Sequence, residues 1–149
     1  MEMKERGGGW RRFPAVMEEY ENIRDFIIDE AEKAGLSAKE QMKLELGIEE
    51  AVVNVIRYAY DSPGAVWLKA GADGADFVVD MADFGVPFNP LERDAVPSPD
   101  TPLEERKPGG YGILFMKKAF AKLVYEYAPF KGENANHLRM VFTKDASSG

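Results

Sequence analysis

The chain has 149 residues, a formal net charge of −7 and no cysteine. The length suits a single domain. The acidic balance argues against direct nucleic-acid binding, which needs a basic surface, and the missing cysteine excludes disulfides, thiolate metal sites and cysteine nucleophiles. Because the sequence has neither an apolar run of the roughly 18 residues of a membrane span nor an apolar signal core at its N-terminus, we expect a cytoplasmic protein with no membrane partner.

The N-terminal part predicts a flexible segment, a short edge strand and a helix. Residues 1–12 contain three consecutive glycines and mixed charge, so we expect them to be flexible. Trp10 and Phe13 are predicted to anchor the end of this segment as a short edge strand. Apolar residues at helical spacing then predict a helix over 16–34, which Gly35 ends.

The second predicted helix carries an unusual polar pair. Ser37 and Glu40 form a capping-box pattern, which predicts that this helix begins near Ser37 and runs to about Tyr60. Glu50 and Asn54 stand four residues apart inside an apolar stretch, so they share one helix face. Burying a carboxylate is costly unless something binds it, and a divalent cation with a phosphate-bearing ligand would suit the pair. The alternative is that both side chains are solvated.

The rest of the chain predicts four strands, one helix and a long loop. Strands are expected at 65–70, 75–83, 123–128 and 137–143, and a helix at 113–120. The segment before that helix is rich in proline, glycine and charge, and such a long loop is usually a functional lid or disordered.

These elements predict an α+β fold, a two-layer α/β sandwich with a mixed, mainly antiparallel sheet and helices on one face. We expect one domain over 13–144, with a lid at about 88–109 and a polar tail at 145–149.

A short motif from Asp83 to Pro87 closes one predicted strand. Its Asp could accept a hydrogen bond from the exocyclic amine of a purine, and Gly85 would let a ligand approach the backbone. The alternative is an ordinary strand-to-loop turn.

Two weaker features follow later in the chain. Glycines at 109, 110 and 112 precede a predicted helix, and free backbone N–H groups at a helix N-terminus can bind phosphate. A plain loop-to-helix junction is the alternative. His137 is the only histidine, and we expect it to be a surface residue on a strand rather than a catalytic group or phosphoacceptor.

The order of these motifs is more specific than any one of them. E-x-x-x-N on a helix, D-x-G-x-P-F after a strand, a lid and G-G-x-G-I-L before a helix resemble the Bergerat-fold (GHKL) ATPases. The local sequences GIEEAVVNVIRYAY, DFGVPFNP and GGYGILFM are similar to those of the anti-sigma factor serine/threonine kinases. The resemblance covers residues 16–144.

The resemblance implies roles for particular residues. Glu50 would be the general base and Asn54 the Mg²⁺ ligand. Asp83 would be the carboxylate that reads adenine, and Gly85 the glycine that allows the ligand to approach closely. The other positions that would contribute to the ATP site are Pro87, Lys107, Gly110, Gly112 and Asn136.

Three positions depart from the family pattern. Tyr58 stands where the family often has a His, and Pro108 where many serine kinases have an Arg, with Lys107 just upstream. The Thr of the last strand that supports the adenine-reading Asp is missing, and Asn136 could replace its hydroxyl.

The function implied by the resemblance is that of an ATP-dependent serine/threonine kinase. It would bind a sigma factor, phosphorylate a STAS-domain anti-sigma factor antagonist, and form a homodimer through the N-terminal strand region. Two alternatives stay open: a nucleotide-gated interaction module without kinase activity, and a detached histidine-kinase-type catalytic domain.

Overall fold

The computed structural model describes residues 9–58, 64–87, 89 and 112–144. The elements in chain order are β1 (Arg11–Pro14), a 3-10 turn (Met17–Glu19), α1 (Tyr20–Lys33), α2 (Ala38–Tyr58), β2 (Ala65–Asp73), β3 (Asp76–Asp83), α3 (Gly112–Ala119), β4 (Lys122–Phe130) and β5 (Glu133–Thr143).

The predicted two-layer α+β sandwich is confirmed. Within the described residues, five strands form one sheet in the order β1-β2-β3-β5-β4, and the four pairings between them are antiparallel. The apolar residues of α1, α2 and α3 pack with one face of this sheet in a single core. The predicted edge strand near Phe13 is also confirmed, because β1 lies at one end of the strand order.

The junction between α1 and α2 forms as its sequence predicts. Gly35 has a φ of +90°, which a residue without a Cβ adopts at little cost, and the Leu36 N–H donates to Ala31 O at 3.1 Å. The capping box is present in both directions. The Ser37 N–H donates to Glu40 Oε1 at 2.8 Å, and the Glu40 N–H donates to Ser37 Oγ at 3.1 Å.

The helix-facing side of β3 and β5 changes from apolar to polar along the strands. Residues two apart share a face, so the directly opposed pairs form rows under the helices. In order along the sheet these rows are Phe77 with Phe142, Val79 with Met140, Met81 with Leu138, and Asp83 with Asn136. All eight side chains are buried. The core therefore ends, at one edge of the sandwich, in a buried carboxylate opposite a buried amide.

The last hairpin differs from the sequence prediction. Lys131 and Gly132 have φ angles of 52° and 89°, as the central residues of a two-residue hairpin loop require, and Phe130 pairs with Glu133 across it. Strand β5 therefore begins at Glu133, and the prediction that it begins at His137 is wrong. The predicted strands leave residues 129–136 unassigned, yet the backbone from Glu133 to Asn136 pairs with β4.

Gly47 allows α2 and α3 to approach closely. A Cβ at this position would lie 2.5 Å from Cε2 of Phe120 and 2.8 Å from Cβ of Ala119. A glycine inside a helix weakens it by about 1 kcal/mol relative to alanine, so its presence here is explained by packing. The sequence reading assigned no role to this glycine.

Candidate functional site

The Asp83 carboxylate ends β3 in a buried position, only 4% exposed. Its Oδ1 accepts two hydrogen bonds, from the Gly85 N–H at 2.9 Å and from Asn136 Nδ2 at 3.0 Å. The bond to Gly85 is a local turn of the kind that Asp favours at strand ends. Since both bonds go to Oδ1, Oδ2 accepts none from the part of the chain that the structure describes.

Asn136 connects this carboxylate to two other elements. Its Nδ2 donates to Asp83 Oδ1, to Val86 O at 2.9 Å and, at a longer 3.4 Å, to Gly85 O. Its Oδ1 accepts a hydrogen bond from the Tyr125 hydroxyl of β4. Acceptors on one side and a donor on the other fix which way the amide points. Strands β3, β4 and β5 and the turn after β3 therefore meet at one side chain.

The electrostatics of Asp83 suit a group that accepts hydrogen bonds from a ligand. Burial raises the pKa of Asp83, and the hydrogen bonds from Asn136 and the Gly85 N–H only partly oppose this rise. Its two hydrogen-bond donors among the described residues are neutral, so these residues do not compensate its charge. An exocyclic amine of a purine is a donor of suitable size and charge for such an acceptor.

Glu50 and Asn54 lie one helical turn apart on α2, as the sequence requires. Asn54 is 6% exposed, so the alternative that both side chains are solvated does not hold for it. Glu50 is half-buried. Burial raises the pKa of Glu50, nearby Glu49 raises it further, and Arg57 lowers it. A carboxylate with a raised pKa is better suited than an ordinary one to take a proton near neutral pH.

Chain connectivity relates Asn54 to Asp83. The chain leaves α2 four residues after Asn54 and returns to the sheet at Gly64, next to β2. Near the start of β2, Val66 pairs directly with Asp83. The C-terminal end of α2 is therefore followed in the chain by the start of β2, which lies beside Asp83 in the sheet.

The C-terminal end of α3 packs on the side of the core that is remote from Asp83. Helix α3 packs along α2, and its C-terminal end meets Gly47 through Ala119 and Phe120. The Phe120 ring lies 6.5 Å from that of Phe142, which belongs to the opposite edge of the sheet from Asp83. Helix α3 therefore ends beside the middle of α2, on the side of the core that carries Phe142 rather than Asp83.

The remaining predicted site residues divide into two groups. Gly85 is half-buried and donates to Asp83, whereas Pro87 is exposed and follows the same turn. Gly112 begins α3, one residue earlier than the helix start predicted from the sequence. Lys107, Gly110 and all but Asn89 of the predicted lid 88–109 lie outside the described residues.

Magnesium would find a suitable but incomplete ligand set here. In the described part of the chain, no group of three or more His, Asp or Glu side chains is placed to hold a metal alone. Asn54 offers a hard amide oxygen, with the Glu50 carboxylate one turn away. Mg²⁺ usually takes one or two protein oxygens and completes its shell with water and substrate phosphates, so these residues fit a nucleotide-bound Mg²⁺.

Two features near the site were not found from the sequence. Tyr125 was assigned only to a strand, and its hydroxyl contact follows from the β4–β5 register, which needs the Lys131–Gly132 turn. His137 is not a simple surface residue. It is half-buried on the face away from the helices and bonds to Asp80 at 3.2 Å, and its ring contacts Trp10 at a centroid distance of 5.9 Å.

Comparison with known proteins identifies one family. The sequence model of the histidine kinase-like ATPase domain matches residues 13–142. No curated protein matches the chain significantly. Among the described residues, no helix has both the length and the apolar character that crossing a membrane requires.

Proposed function

Because the chain belongs to the histidine kinase-like ATPase family, whose fold it has and whose domain binds ATP, we propose that it is an ATP-dependent serine/threonine protein kinase of an anti-sigma system. What supports this proposal is that Glu50 and Asn54 share one face of α2, and that the chain after α2 continues into β2, where Val66 pairs with Asp83. Together these side chains would supply a proton acceptor, a metal ligand and an acceptor for an amine.

Each residue would contribute a separate interaction. Asp83 would accept a hydrogen bond from the adenine amine through Oδ2, while Asn136 and Gly85 hold Oδ1. Asn54 would help to hold Mg²⁺, which when bound neutralises phosphate charge. Glu50 would take the proton of the incoming serine hydroxyl, and its raised pKa favours this role. The start of α3 would face phosphate with its free N–H groups.

The partners follow from the resemblance of the motifs. We propose that the substrate is a STAS-domain antagonist and that a sigma factor is the second partner. A phosphoserine adds nearly two negative charges, enough to disrupt an interface that accommodates a neutral hydroxyl. The kinase released by the antagonist would then bind the sigma factor.

We also propose a homodimer through the N-terminal strand region. Strand β1 is an edge strand, so one row of its backbone groups is unpaired within the described residues. Trp10, just before it, packs edge-on against Phe130 with ring centroids 4.9 Å apart. Sedimentation of the full chain tests this directly, and a monomer at micromolar concentration would exclude it.

Phosphotransfer is tested with labelled ATP, the full-length chain and a candidate STAS protein. We expect Glu50→Gln to keep ATP affinity and to lower phosphotransfer by about 10²- to 10⁴-fold, the usual contribution of a general base. Glu49→Gln is the matched control, since its side chain is exposed and neighbours Glu50. Asn54→Ala should remove the Mg²⁺ dependence of ATP binding.

The same experiment separates the alternatives. A Glu50→Gln protein with the wild-type rate would disprove the assignment of the base. A wild-type chain that binds ATP and labels no STAS partner would instead be a nucleotide-gated interaction module. Transfer to a histidine-containing phosphotransfer domain, and not to serine, would identify a detached histidine-kinase-type catalytic domain.

A further inference from the structure

The buried hydrogen bonds behind Asp83 extend one residue beyond those that contact it. The Tyr125 hydroxyl donates to Asn136 Oδ1, and Asn136 Nδ2 donates to Asp83 Oδ1. Tyr125 is half-buried and packs against the hydrophobic core, which holds its ring in place. The hydroxyl is therefore linked to Asp83 through the Asn136 amide, by one hydrogen bond on each side.

The direction of the amide decides what Asp83 can do. With Nδ2 toward Asp83, the amide donates to Oδ1, and no described residue donates to Oδ2 of the carboxylate. A rotated amide would place Oδ1 against the Asp83 carboxylate, and two acceptors in contact repel each other. Rotation would also direct Nδ2 away from Val86 O, which it meets at 2.9 Å. In the observed orientation the amide oxygen needs a donor, and the Tyr125 hydroxyl supplies it.

We propose that Tyr125 is a positioning residue for nucleotide recognition: through Asn136 it holds the Asp83 carboxylate in the orientation that accepts the exocyclic amine of adenine. The inference rests on the ATP-binding part of the proposed function and does not depend on kinase activity. In this proposal Tyr125 acts through Asn136, on the Asp83 carboxylate and on the Gly85–Val86 backbone to which Asn136 also donates.

Strand β4 supplies a matched control for this residue. Tyr127 is two residues from Tyr125 on the same face of the strand, and it pairs directly with Asn136. Its side chain is nevertheless 45% exposed, and Asn136 accepts from Tyr125 instead. Phenylalanine at either position keeps the aromatic ring and removes one hydroxyl.

The experiment measures the affinity of wild type, Tyr125→Phe and Tyr127→Phe for two nucleotides by calorimetry. The nucleotides are ATP and purine riboside triphosphate, which lacks the exocyclic amine. Wild type should prefer ATP by about ten-fold or more, as expected for a hydrogen bond to a carboxylate. Tyr125→Phe should weaken ATP binding by about five-fold, the equivalent of one neutral hydrogen bond, and leave the analogue unchanged. Tyr127→Phe should change neither.

The possible outcomes separate a positioning role from a structural one. If Tyr125→Phe weakens both nucleotides equally, or neither, the inference is overturned. Equal affinity of wild type for the two nucleotides would overturn it too, because amine recognition by Asp83 would be absent. A chain that binds ATP with the expected preference and fails to phosphorylate any partner refutes the kinase proposal and leaves this inference standing.

An NMR measurement without nucleotide checks the link itself. The side-chain amide protons of Asn136 should be protected from solvent exchange in wild type and in Tyr127→Phe, and less protected in Tyr125→Phe. In an Asn136→Ala background, Tyr125→Phe should cause no further loss of ATP affinity, because the connecting amide is gone. Unchanged protection, or a second independent loss of affinity, would show that Tyr125 does not act through Asn136.

Discussion

Strand β3 carries two buried carboxylates on opposite faces of the sheet. Asp80 and Asp83 are each 4% exposed, yet the odd spacing between them directs one away from the helices and the other toward them. They share a strand, a depth and a residue type. Their partners are different, and this difference separates a structural carboxylate from one that is suited to bind a ligand.

Asp80 is paired with the Arg139 guanidinium and contacts the His137 ring. Arg139 donates to it from Nε at 2.8 Å and from a terminal nitrogen at 3.3 Å, and His137 Nε2 lies 3.2 Å from Oδ1. Burial raises the pKa of Asp80, but the hydrogen bonds from His137 and Arg139 and the guanidinium charge outweigh it, so the pKa is lowered overall. Both carboxylate oxygens have partners, which leaves nothing for a ligand to satisfy.

Within the described residues, both hydrogen-bond partners of Asp83 are neutral, and both use the same oxygen. Its pKa is raised where that of Asp80 is lowered. Maintaining a charged carboxylate in such surroundings costs stability, a cost typical of sites that gain their missing partner on binding. The comparison therefore predicts opposite consequences when each charge is removed.

The largest expected effect is on nucleotide binding by Asp83→Asn. An amide at position 83 cannot accept from Asn136 and from an adenine amine as a carboxylate does, so we expect ATP affinity to fall by about 100-fold, the upper range for a charged hydrogen bond. The folded protein should be at least as stable as wild type, because the charge whose burial raises the pKa is gone. Calorimetry and thermal unfolding measure the two quantities.

The matched variant Asp80→Asn is expected to show the reverse. Its ATP affinity should equal that of wild type, since Asp80 faces away from the helices. A variant of Asp83 that kept its ATP affinity, or of Asp80 that lost it, would contradict the distinction between the two faces.

The second effect is on stability, in Asp80→Asn. Charged hydrogen bonds contribute about 1.5–3 kcal/mol, but the Arg139 side chain is 53% exposed, and solvent screens its charge. We therefore expect a loss of about 1–2 kcal/mol in the free energy of unfolding at pH 7. Urea denaturation measures it.

The stability that Asp80→Asn loses should depend on pH in a definite direction. The folded pKa of Asp80 is lowered, so its stabilisation is present above the unfolded pKa of about 3.9 and disappears as the pH falls through the folded value. The difference between wild type and Asp80→Asn should thus shrink steadily in acid. A difference that is constant from pH 7 to acid would indicate lost packing instead.

The sequence predicts the surroundings of Asp83, on the helix-facing side of β3, better than those of Asp80 on the other side. The Asp83 motif and the candidate support from Asn136 were recognisable by resemblance, and the apolar residues between Phe77 and Met81 predicted β3. The Asp80 cluster was not predicted, because Asp80, His137 and Arg139 meet only through the β3–β5 register. Residues far apart in the chain become neighbours through pairing, and no local pattern reports that pairing.

The same reason explains why Tyr125 was missed. Its contact depends on a two-residue turn with positive φ at Lys131, a residue with a Cβ that seldom adopts that conformation. The predicted last strand begins at His137 and so leaves Asn136 outside it. Local propensity was overridden here by strand pairing, which also sets the geometry of the candidate site.

A smaller effect is expected for His137→Gln. Its ring nitrogen is one of three groups on the Asp80 carboxylate, and Arg139 would keep both oxygens satisfied after the change. We expect a loss of about 0.5–1 kcal/mol in unfolding free energy, the range of one ordinary hydrogen bond, with ATP affinity unchanged. Urea denaturation beside Asp80→Asn measures it. A loss as large as that of Asp80→Asn would mean that the histidine, and not Arg139, is the main partner.

The smallest effect concerns a third buried polar group, the Tyr20 hydroxyl on the helix side. In the described part of the chain this hydroxyl is buried without a hydrogen-bond partner, and burial followed by the charges of Glu49 and Glu45 raises its pKa. Unlike Asp80 it has no donor or acceptor, and unlike Asp83 it carries no charge at neutral pH. Removing an unsatisfied hydroxyl returns its desolvation cost. Tyr20→Phe should therefore keep or raise the free energy of unfolding, by about 0.5–1 kcal/mol, as measured by urea denaturation. A clear loss of stability would contradict this expectation, because it would mean that the hydroxyl makes a stabilising hydrogen bond.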